Sequence, residues 1–176
     1  DYHIISASHT HSAAAVSSFF DLELLNNADP RVRNLLQDSP VPDAWYTDWV
    51  VRQLGTALIM ASRRLEPALI NCGSGEDAAM IFNRRFFLKD GRAYTHPGRM
   101  NPNIVKPAGP IDPQVGVIGA WRQDGSLIGC LLNYSCHGTT YSGHLAHADW
   151  YHYAEETLQK LFGEQCGVVL LNGPCG

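Results

Sequence analysis

Residues 115–135 read VGVIGAWRQDGSLIGCLLNYS, and this stretch decides the fold prediction. Two runs rich in apolar residues, 115–121 and 127–135, flank a short polar segment that contains Asp124 and Gly125. An Asp-Gly pair between two such runs is typical of a β-hairpin, because glycine readily adopts the positive φ that a tight turn requires. We therefore predict two antiparallel strands, the second of which leads directly into Cys136 and His137.

Residues 44–65 carry the strongest helical pattern in the chain. Their apolar residues recur at steps of three and four, which is the spacing of one face of a helix; they are Trp45, Trp49, Val50, Leu54, Ala57, Leu58, Ala61 and Leu65. Asp43 is a suitable N-cap, and Pro67 ends the pattern. We predict one long amphipathic helix.

Shorter elements are predicted on either side. Asp149 and Gly163 bound a helix over residues 150–162, and a buried strand follows at residues 168–171. We also predict a short helix over residues 31–37 and strands over residues 2–8 and 68–72. Gly73-Ser-Gly75 has the composition of a turn. Residues 89–113, with five prolines and three glycines, are predicted to form a long irregular connection.

This mixture of elements predicts an α/β or α+β fold with a mixed sheet flanked by helices. The length of 176 residues suits a single domain over residues 1–176. The chain begins with Asp1 rather than methionine, and it ends in a strand-and-loop segment of the kind that leads into another element. We therefore expect a piece of a longer chain that is cut at both ends.

Composition excludes several classes of protein. With 45% hydrophobic and 17% charged residues the chain is not disordered, and with a net charge of −4 it has no basic stripe for nucleic acid. Its apolar runs are far shorter than the roughly 20 residues that span a bilayer, so we predict no transmembrane segment. The five cysteines lack a Cys-x-x-Cys spacing, which favours free thiols. The oligomeric state is left open.

Histidines provide the candidate chemistry. His9 and His11 lie two residues apart, so in an extended segment both rings leave the same face, as two ligands of one metal would. His137 follows the hairpin, where strand ends place reactive groups. The alternative for His9 and His11 is that they are surface or core histidines without a metal, and the alternative for His137 is a histidine that ends a strand by bonding a carbonyl. The pair His144 and His147 is interpreted as part of a polar loop rather than as ligands.

The order of these motifs resembles the N-terminal catalytic domain of the neutral/alkaline (non-lysosomal) ceramidase family. The resemblance covers residues 5–176, and it rests on five motifs in sequence: His9-Thr-His-Ser12, Asn83-Arg84, His137-Gly-Thr-Thr140, a helix opened by Asp149, and Asn172-Gly-Pro-Cys-Gly176.

The resemblance implies a zinc-dependent amide hydrolase that cleaves an N-acyl sphingosine or a related N-acyl lipid with zinc-activated water. It implies that His9 and His137 are zinc ligands, and that His11 and Arg84 are catalytic residues that contact the polar atoms of the substrate. Such chemistry is physically consistent, because zinc lowers the pKa of a bound water and a neighbouring arginine stabilises an oxyanion. A secreted or periplasmic location is also implied.

The family completes its zinc site with a glutamate and a tyrosine, and it carries a serine in a Gly-Asp-x-Ser-Pro motif. Their matching positions lie beyond residue 176, so we expect this fragment to be inactive alone. Ala13-Ala14-Ala15 stands where the family has Gly-Pro-Gly at the entrance to the site. We therefore predict an amide hydrolase without assigning ceramide itself as the substrate.

Two alternatives come from other classes. The first is a non-catalytic α/β binding domain whose histidines are structural, with residues 89–113 as a partner surface. The second is a cysteine hydrolase that uses Cys136 or Cys175, which requires a histidine within hydrogen-bond reach of the sulfur. Adjacent residues on a strand face opposite ways, so Cys136 and His137 are not expected to form such a pair.

Overall fold

A computed structural model describes residues 3–18, 22–36, 41–141 and 143–175. The chain divides into two compact units. One comprises Asp1–Ser12 and Pro67–Gly176, and the other comprises Ala13–Glu66. The prediction of a single domain over residues 1–176 stays a prediction.

The smaller unit contains helices α1 (Leu22–Asn26), α2 (Pro30–Leu36) and α3 (Ala44–Ser62). The predicted long helix is confirmed as α3, which begins as expected because the Asp43 carboxylate accepts a hydrogen bond from the Tyr46 backbone N–H at 2.7 Å. The predicted short helix is confirmed as α2, except that Gln37 lies outside the described residues. In the described part of the chain, no helix is long and apolar enough to cross a membrane.

In the described residues of the larger unit there are seven strands and one helix. These are β1 (Leu69–Glu76), β2 (Arg85–Leu88), β3 (Ala93–Thr95), β4 (Ile104–Pro107), β5 (Gln114–Trp121), β6 (Leu127–Tyr134), α4 (Trp150–Phe162) and β7 (Gly167–Asn172). A four-stranded sheet has the order β1-β5-β6-β7, and a three-stranded sheet has the order β3-β2-β4.

The four-stranded sheet is mixed, so the predicted fold class is confirmed as α+β. Strand β5 pairs antiparallel with both β1 and β6, whereas β6 pairs parallel with β7. The predicted hairpin joins β5 to β6, and Gly125 adopts a φ of +85° in its turn. Helix α4 has the predicted bounds and forms the crossover that a parallel pair requires.

The core lies where α4 packs on the sheet. Trp121 of β5 meets Phe162 of α4 edge to face, with ring centroids 5.8 Å apart. Among the residues whose burial is described, the buried apolar side chains all belong to the larger unit and are Leu127, Cys130, Tyr134, Cys136, Tyr151 and Cys166. The end of β6 is therefore held on a packed sheet, which makes it a rigid support for the residues that follow.

The prediction of a turn at Gly73-Ser-Gly75 is wrong. These residues belong to β1, where they pair with Val117, Gly116 and Val115 of β5. Two glycines within three residues favour a turn locally, but the neighbouring strand provides backbone partners along the whole segment. Pairing with a distant strand has therefore overridden the local preference.

The prediction of an irregular connection over residues 89–113 is wrong in part. It contains β3 and β4, which both pair with β2. The strands are only three and four residues long, so local patterning is weak. The strand predicted over residues 2–8 is also wrong where the structure describes it, because residues 3–8 adopt neither helix nor strand.

Candidate metal centre

Three histidines from two distant parts of the sequence lie together in the larger unit. The nitrogen atoms that His9, His11 and His137 offer as ligands all lie within 4.8 Å of one another. Their rings are paired edge to face, with centroid distances of 4.7 to 5.1 Å. Three imidazoles with converging nitrogens are an arrangement that can hold a transition metal.

His137 follows β6 and is held in a defined tautomer. Its Nδ1 lies 3.0 Å from the backbone carbonyl oxygen of Cys175. A carbonyl oxygen only accepts hydrogen bonds, so Nδ1 carries the proton and Nε2 presents a lone pair. Metal-binding histidines commonly donate their second ring N–H to a carbonyl in this way.

The spacing of the nitrogens fits a metal with tetrahedral geometry. The Nε2 atoms of His11 and His137 are 3.1 Å apart. Two nitrogens at about 2.0–2.1 Å from a tetrahedral zinc ion are separated by roughly 3.3 Å. The His11 and His137 nitrogens are therefore spaced nearly as two ligands of one zinc ion would be.

His9 has a strained backbone. Its φ is +58°, a region that non-glycine residues rarely adopt and that costs free energy. Strain of this kind persists only where the surrounding contacts impose it. The contacts that impose it here involve residues 7–12, which we call the tethered segment.

Backbone and threonine contacts tie the tethered segment to the loop after His137. The His11 N–H donates to the Gly138 carbonyl oxygen at 3.1 Å, and the His147 N–H donates to the Ser12 carbonyl oxygen at 2.8 Å. The Thr10 hydroxyl donates in turn to the His147 carbonyl oxygen at 2.9 Å. His9 and His11 are therefore held against the same loop that carries His137.

Asn172, the last residue of β7, holds the start of the tethered segment. Its side-chain amide donates to the carbonyl oxygens of Ala7 at 3.2 Å and Ser8 at 2.8 Å. The buried Tyr151 hydroxyl donates to the Asn172 Oδ1 atom and so fixes the orientation of the amide. Burial raises the pKa of Tyr151 to about 12, so its hydroxyl stays protonated at neutral pH.

Gly138 allows the two histidine-bearing segments to approach closely. A Cβ atom at this position would lie 3.0 Å from the Thr10 Cα, 3.2 Å from the His9 carbonyl oxygen and 3.1 Å from the Tyr151 ring. Real Cβ atoms rarely approach backbone atoms this closely. A side chain at position 138 would therefore require the tethered segment or the Tyr151 ring to shift by a few tenths of an ångström.

A cavity of about 950 Å³ lies beside the histidines, and His11, Arg84 and His137 all contribute to its wall. Much of the remaining wall is apolar and includes Met80, Ile81, Phe82, Phe86, Ile104 and Ile111. Arg84 directly precedes β2, and its carbonyl oxygen accepts a hydrogen bond from the His96 N–H at 2.9 Å. The cavity wall therefore combines polar side chains, including the two histidines and Arg84, with apolar ones.

The electrostatics of the site keep His11 neutral. Partial burial lowers the pKa of His11, and the charges of His137, His9 and Arg84 lower it further, against a smaller opposing effect of Asp149. At neutral pH the His11 ring is then unprotonated, which is the form that binds a metal or accepts a proton.

Cys136 lacks the features of a cysteine nucleophile. Cys136 is buried, its Sγ contacts the His137 carbonyl oxygen at 3.9 Å, and burial raises the pKa of its thiol. A reactive cysteine needs a lowered pKa. Cys175 uses its carbonyl oxygen to hold His137.

The four site residues named from the sequence thus converge. His9, His11 and His137 form one cluster, and Arg84 shares a cavity wall with the last two. The separate roles predicted for them stay predictions, since the geometry makes His11 a possible ligand as well. Sequence analysis missed the residues that hold the cluster, namely Thr10, His147, Tyr151 and Asn172, because their contacts span up to 165 positions and leave no local signal.

The fold and site together describe an α+β protein with a three-histidine centre beside an apolar cavity. No protein-family model and no curated protein matches the chain. Its structural neighbours are ceramidases. One, described as a ceramidase complexed with C2, aligns with a TM-score of 0.59 and 22% identity over 95% of this chain and 23% of its own.

The neutral ceramidase from Pseudomonas aeruginosa aligns with a TM-score of 0.48 and 23% identity, over 72% of this chain and 19% of its own. The chain thus spans about a fifth to a quarter of the length of these neighbours. At these identities the likeness concerns the fold, which the chain shares with part of a ceramidase.

Proposed function

We propose that this chain provides part of the active site of a zinc-dependent amide hydrolase that acts on an N-acyl sphingosine or a related N-acyl lipid. The observation that carries the proposal is the convergence of three imidazoles, one of them fixed in a metal-binding tautomer by the Cys175 carbonyl. The fold shared with a ceramidase is consistent with this chemistry.

We assign His9 and His137 as metal ligands, with zinc as the metal. A zinc ion bound there supplies a water of lowered pKa and a Lewis acid for an amide carbonyl. Any ligands beyond the histidines would come from elsewhere in a longer protein, as would full activity. We therefore expect residues 1–176 alone to be inactive.

His11 and Arg84 are proposed to act on the substrate. The lowered pKa of His11 leaves its ring nitrogen free to accept a proton from the attacking water and to return it to the leaving amine. Arg84, whose charge acts on His11, is suited to stabilise negative charge on the amide oxygen. In this proposal His9 and His137 bind the metal, whereas His11 transfers the proton.

The cavity favours an amide that carries an apolar chain. His11, His137 and Arg84 line part of its wall, and apolar side chains line much of the rest. An acyl chain would bury apolar surface there at about 25 cal/mol per Å². We further propose, from the resemblance to secreted relatives of this family, a secreted or periplasmic protein without a nucleic-acid partner.

The test is the zinc content of the full-length protein, which includes the ligands beyond residue 176, measured by elemental analysis after exhaustive dialysis. We expect one zinc ion per chain in the unaltered protein, and its loss in His9→Ala and His137→Ala. The exposed His144, outside the cluster, provides the matched control, and His144→Ala should retain zinc. Equal zinc in His137→Ala and His144→Ala would contradict the proposed centre.

His11 and Arg84 are tested separately from zinc content. Arg84→Lys should retain zinc but lose about 10²-fold or more in the rate of hydrolysis of a fluorescent N-acyl sphingosine by the full-length protein. His11→Ala that retains zinc but loses hydrolysis would support a catalytic role, whereas loss of zinc would make His11 a ligand. A non-catalytic binding domain would show neither zinc nor hydrolysis in any variant.

A further inference from the structure

Asp149 is a buried carboxylate in the larger unit that the proposed reaction does not use. It is 0% exposed, although aspartate is rarely buried completely without partners. It precedes α4 and has a φ of +63°, a strained conformation for a residue other than glycine. A position that combines strain with a buried charge needs a compensating structural role.

The carboxylate accepts at least three hydrogen bonds from the residues that the structure describes. Oδ1 accepts from the Thr140 hydroxyl at 2.7 Å and from the Trp150 N–H at 2.8 Å, and Oδ2 accepts from the Tyr141 N–H at 2.9 Å. Only the Trp150 bond belongs to helix capping. The other two hold the backbone that begins three residues after His137.

The backbone of Asp149 holds the opposite end of the same loop. Its N–H donates to the Nδ1 atom of His147 at 2.8 Å. The main chain of His147 donates to Ser12 and accepts from Thr10, both in the tethered segment. Asp149 therefore connects the residues after His137 to the residues that carry His9 and His11.

We propose that Asp149 is a positioning residue, which closes the loop 137–149 so that His9 and His11 are held at ligand distance from His137. The role rests on the geometry of hydrogen bonds among described residues, and it depends on the proposed function only where zinc is used as a readout. Asp149 itself contacts neither metal nor substrate in this role.

A carboxylate is needed because three donors converge on two oxygens. The isosteric change Asp149→Asn replaces one acceptor oxygen with an NH₂ group, which would face a donor such as the Tyr141 N–H. Two donors then oppose each other in a site closed to solvent, and one end of the loop is released. Asp43 provides the matched control, because it also caps a helix but is exposed and lies in the smaller unit.

The first readout requires no metal. In the metal-free full chain with isotope-labelled histidine, the short distance between His11 and His137 should give a ring-to-ring nuclear Overhauser effect. We expect Asp149→Asn to lose this signal and Asp43→Asn to retain it. The second readout is zinc affinity by titration calorimetry, where Asp149→Asn should raise the Kd about 10- to 100-fold.

Both readouts are taken well below the unfolding midpoint of each variant, so that a merely structural contribution appears only as a lower Tm. A folded Asp149→Asn protein with an unchanged ring signal and unchanged zinc affinity would overturn the inference. If the unaltered chain bound no zinc while Asp149→Asn still abolished the ring signal, the proposed function would fail and the positioning role would stand.

If Asp149→Asn does not fold, Thr140→Val tests the same connection. It removes one donor to the carboxylate and leaves the shape nearly unchanged. We expect a weakened ring signal and a Kd raised several-fold. A folded Thr140→Val protein that matches the unaltered chain in both readouts would overturn the inference.

Discussion

The two segments that bring histidines to the centre are built in different ways. His137 follows β6, which pairs with β5 on one side and with β7 on the other. The tethered segment has no such ladder, and residues 7–12 are held by five described hydrogen bonds to Gly138, His147 and Asn172. One histidine is thus fixed by the fold, and the other two by side-chain and loop contacts.

Because of this difference, a substitution can disrupt the histidine centre without unfolding the protein. Changes within β6 disturb the core that α4 covers, so they lower global stability. Changes to the tethers leave the core intact and release only the segment with His9 and His11. Predictions that weaken the tethers while sparing the sheet therefore test the comparison directly.

The largest effect is expected from Gly138→Ala. The new methyl group meets the backbone of Thr10 and His9, which must move away from His137. We expect the Kd for zinc to rise about 100-fold. Changes that disturb the orientation of metal ligands typically cost about 10- to 100-fold in affinity, and this change affects two histidines at once. Titration calorimetry measures it, and a separate thermal melt reports the fold.

Gly55→Ala is the matched control for this change. A Cβ at Gly55 meets no atom within 4 Å, and the residue lies inside α3. The control should bind zinc normally and gain about 0.5–1 kcal/mol of stability. Equal zinc affinity in the two variants would show that the close approach at Gly138 does not govern the centre.

A smaller effect is expected from Asn172→Asp. The change keeps the shape and the acceptor for Tyr151, but it replaces two N–H donors with an oxygen that repels the carbonyls of Ala7 and Ser8. We expect about a 10-fold rise in the Kd for zinc. Asn133→Asp, which alters an exposed amide on β6, is the control and should leave the affinity unchanged.

The smallest effect on zinc is expected from Tyr151→Phe, and its clearest sign lies in the pH dependence of stability. The folded pKa of about 12 exceeds the ordinary value of 10, so the protonated hydroxyl contributes stability that is complete below pH 10. That contribution is lost as the pH rises from 10 to about 12.

The phenylalanine variant lacks this proton, so its free energy of unfolding should fall less across that window, by about 2 kcal/mol at most. Urea denaturation at pH 9, 10 and 11 compares the two proteins, and titrations elsewhere cancel in the difference. Parallel curves for the two proteins would mean that the Tyr151 hydroxyl is not buried as described.

Sequence patterns predicted the elements whose signals are local. The three- and four-residue spacing predicted α3, the Asp-Gly pair predicted the hairpin of β5 and β6, and Asp149 with Gly163 bounded α4. They failed where pairing is decided at a distance. Gly73 and Gly75 extend β1 only because β5 lies alongside, and the short β3 and β4 form only because both flank β2.

The same division applies to the site. His9, His11, Arg84 and His137 could be identified in the sequence because the resemblance to a family groups residues that are far apart along the chain. Local spacing alone could not have grouped them. The carboxylate of Asp149 was recognised only as a helix cap, and Asn172 only as part of a motif. Their contacts with the loop and the tethered segment depend on the fold of both ends of the chain, which no local pattern encodes.

The bond between Asn172 and the Ser8 carbonyl oxygen joins positions 164 apart, and it has a consequence for biosynthesis. Chains are synthesised at about 5–20 residues per second. The beginning of the chain therefore waits roughly 10 to 30 s after its own synthesis before residue 172 exists to receive it. For most of that time His137 has not been synthesised either. The histidine centre is therefore among the last parts of this chain to become complete.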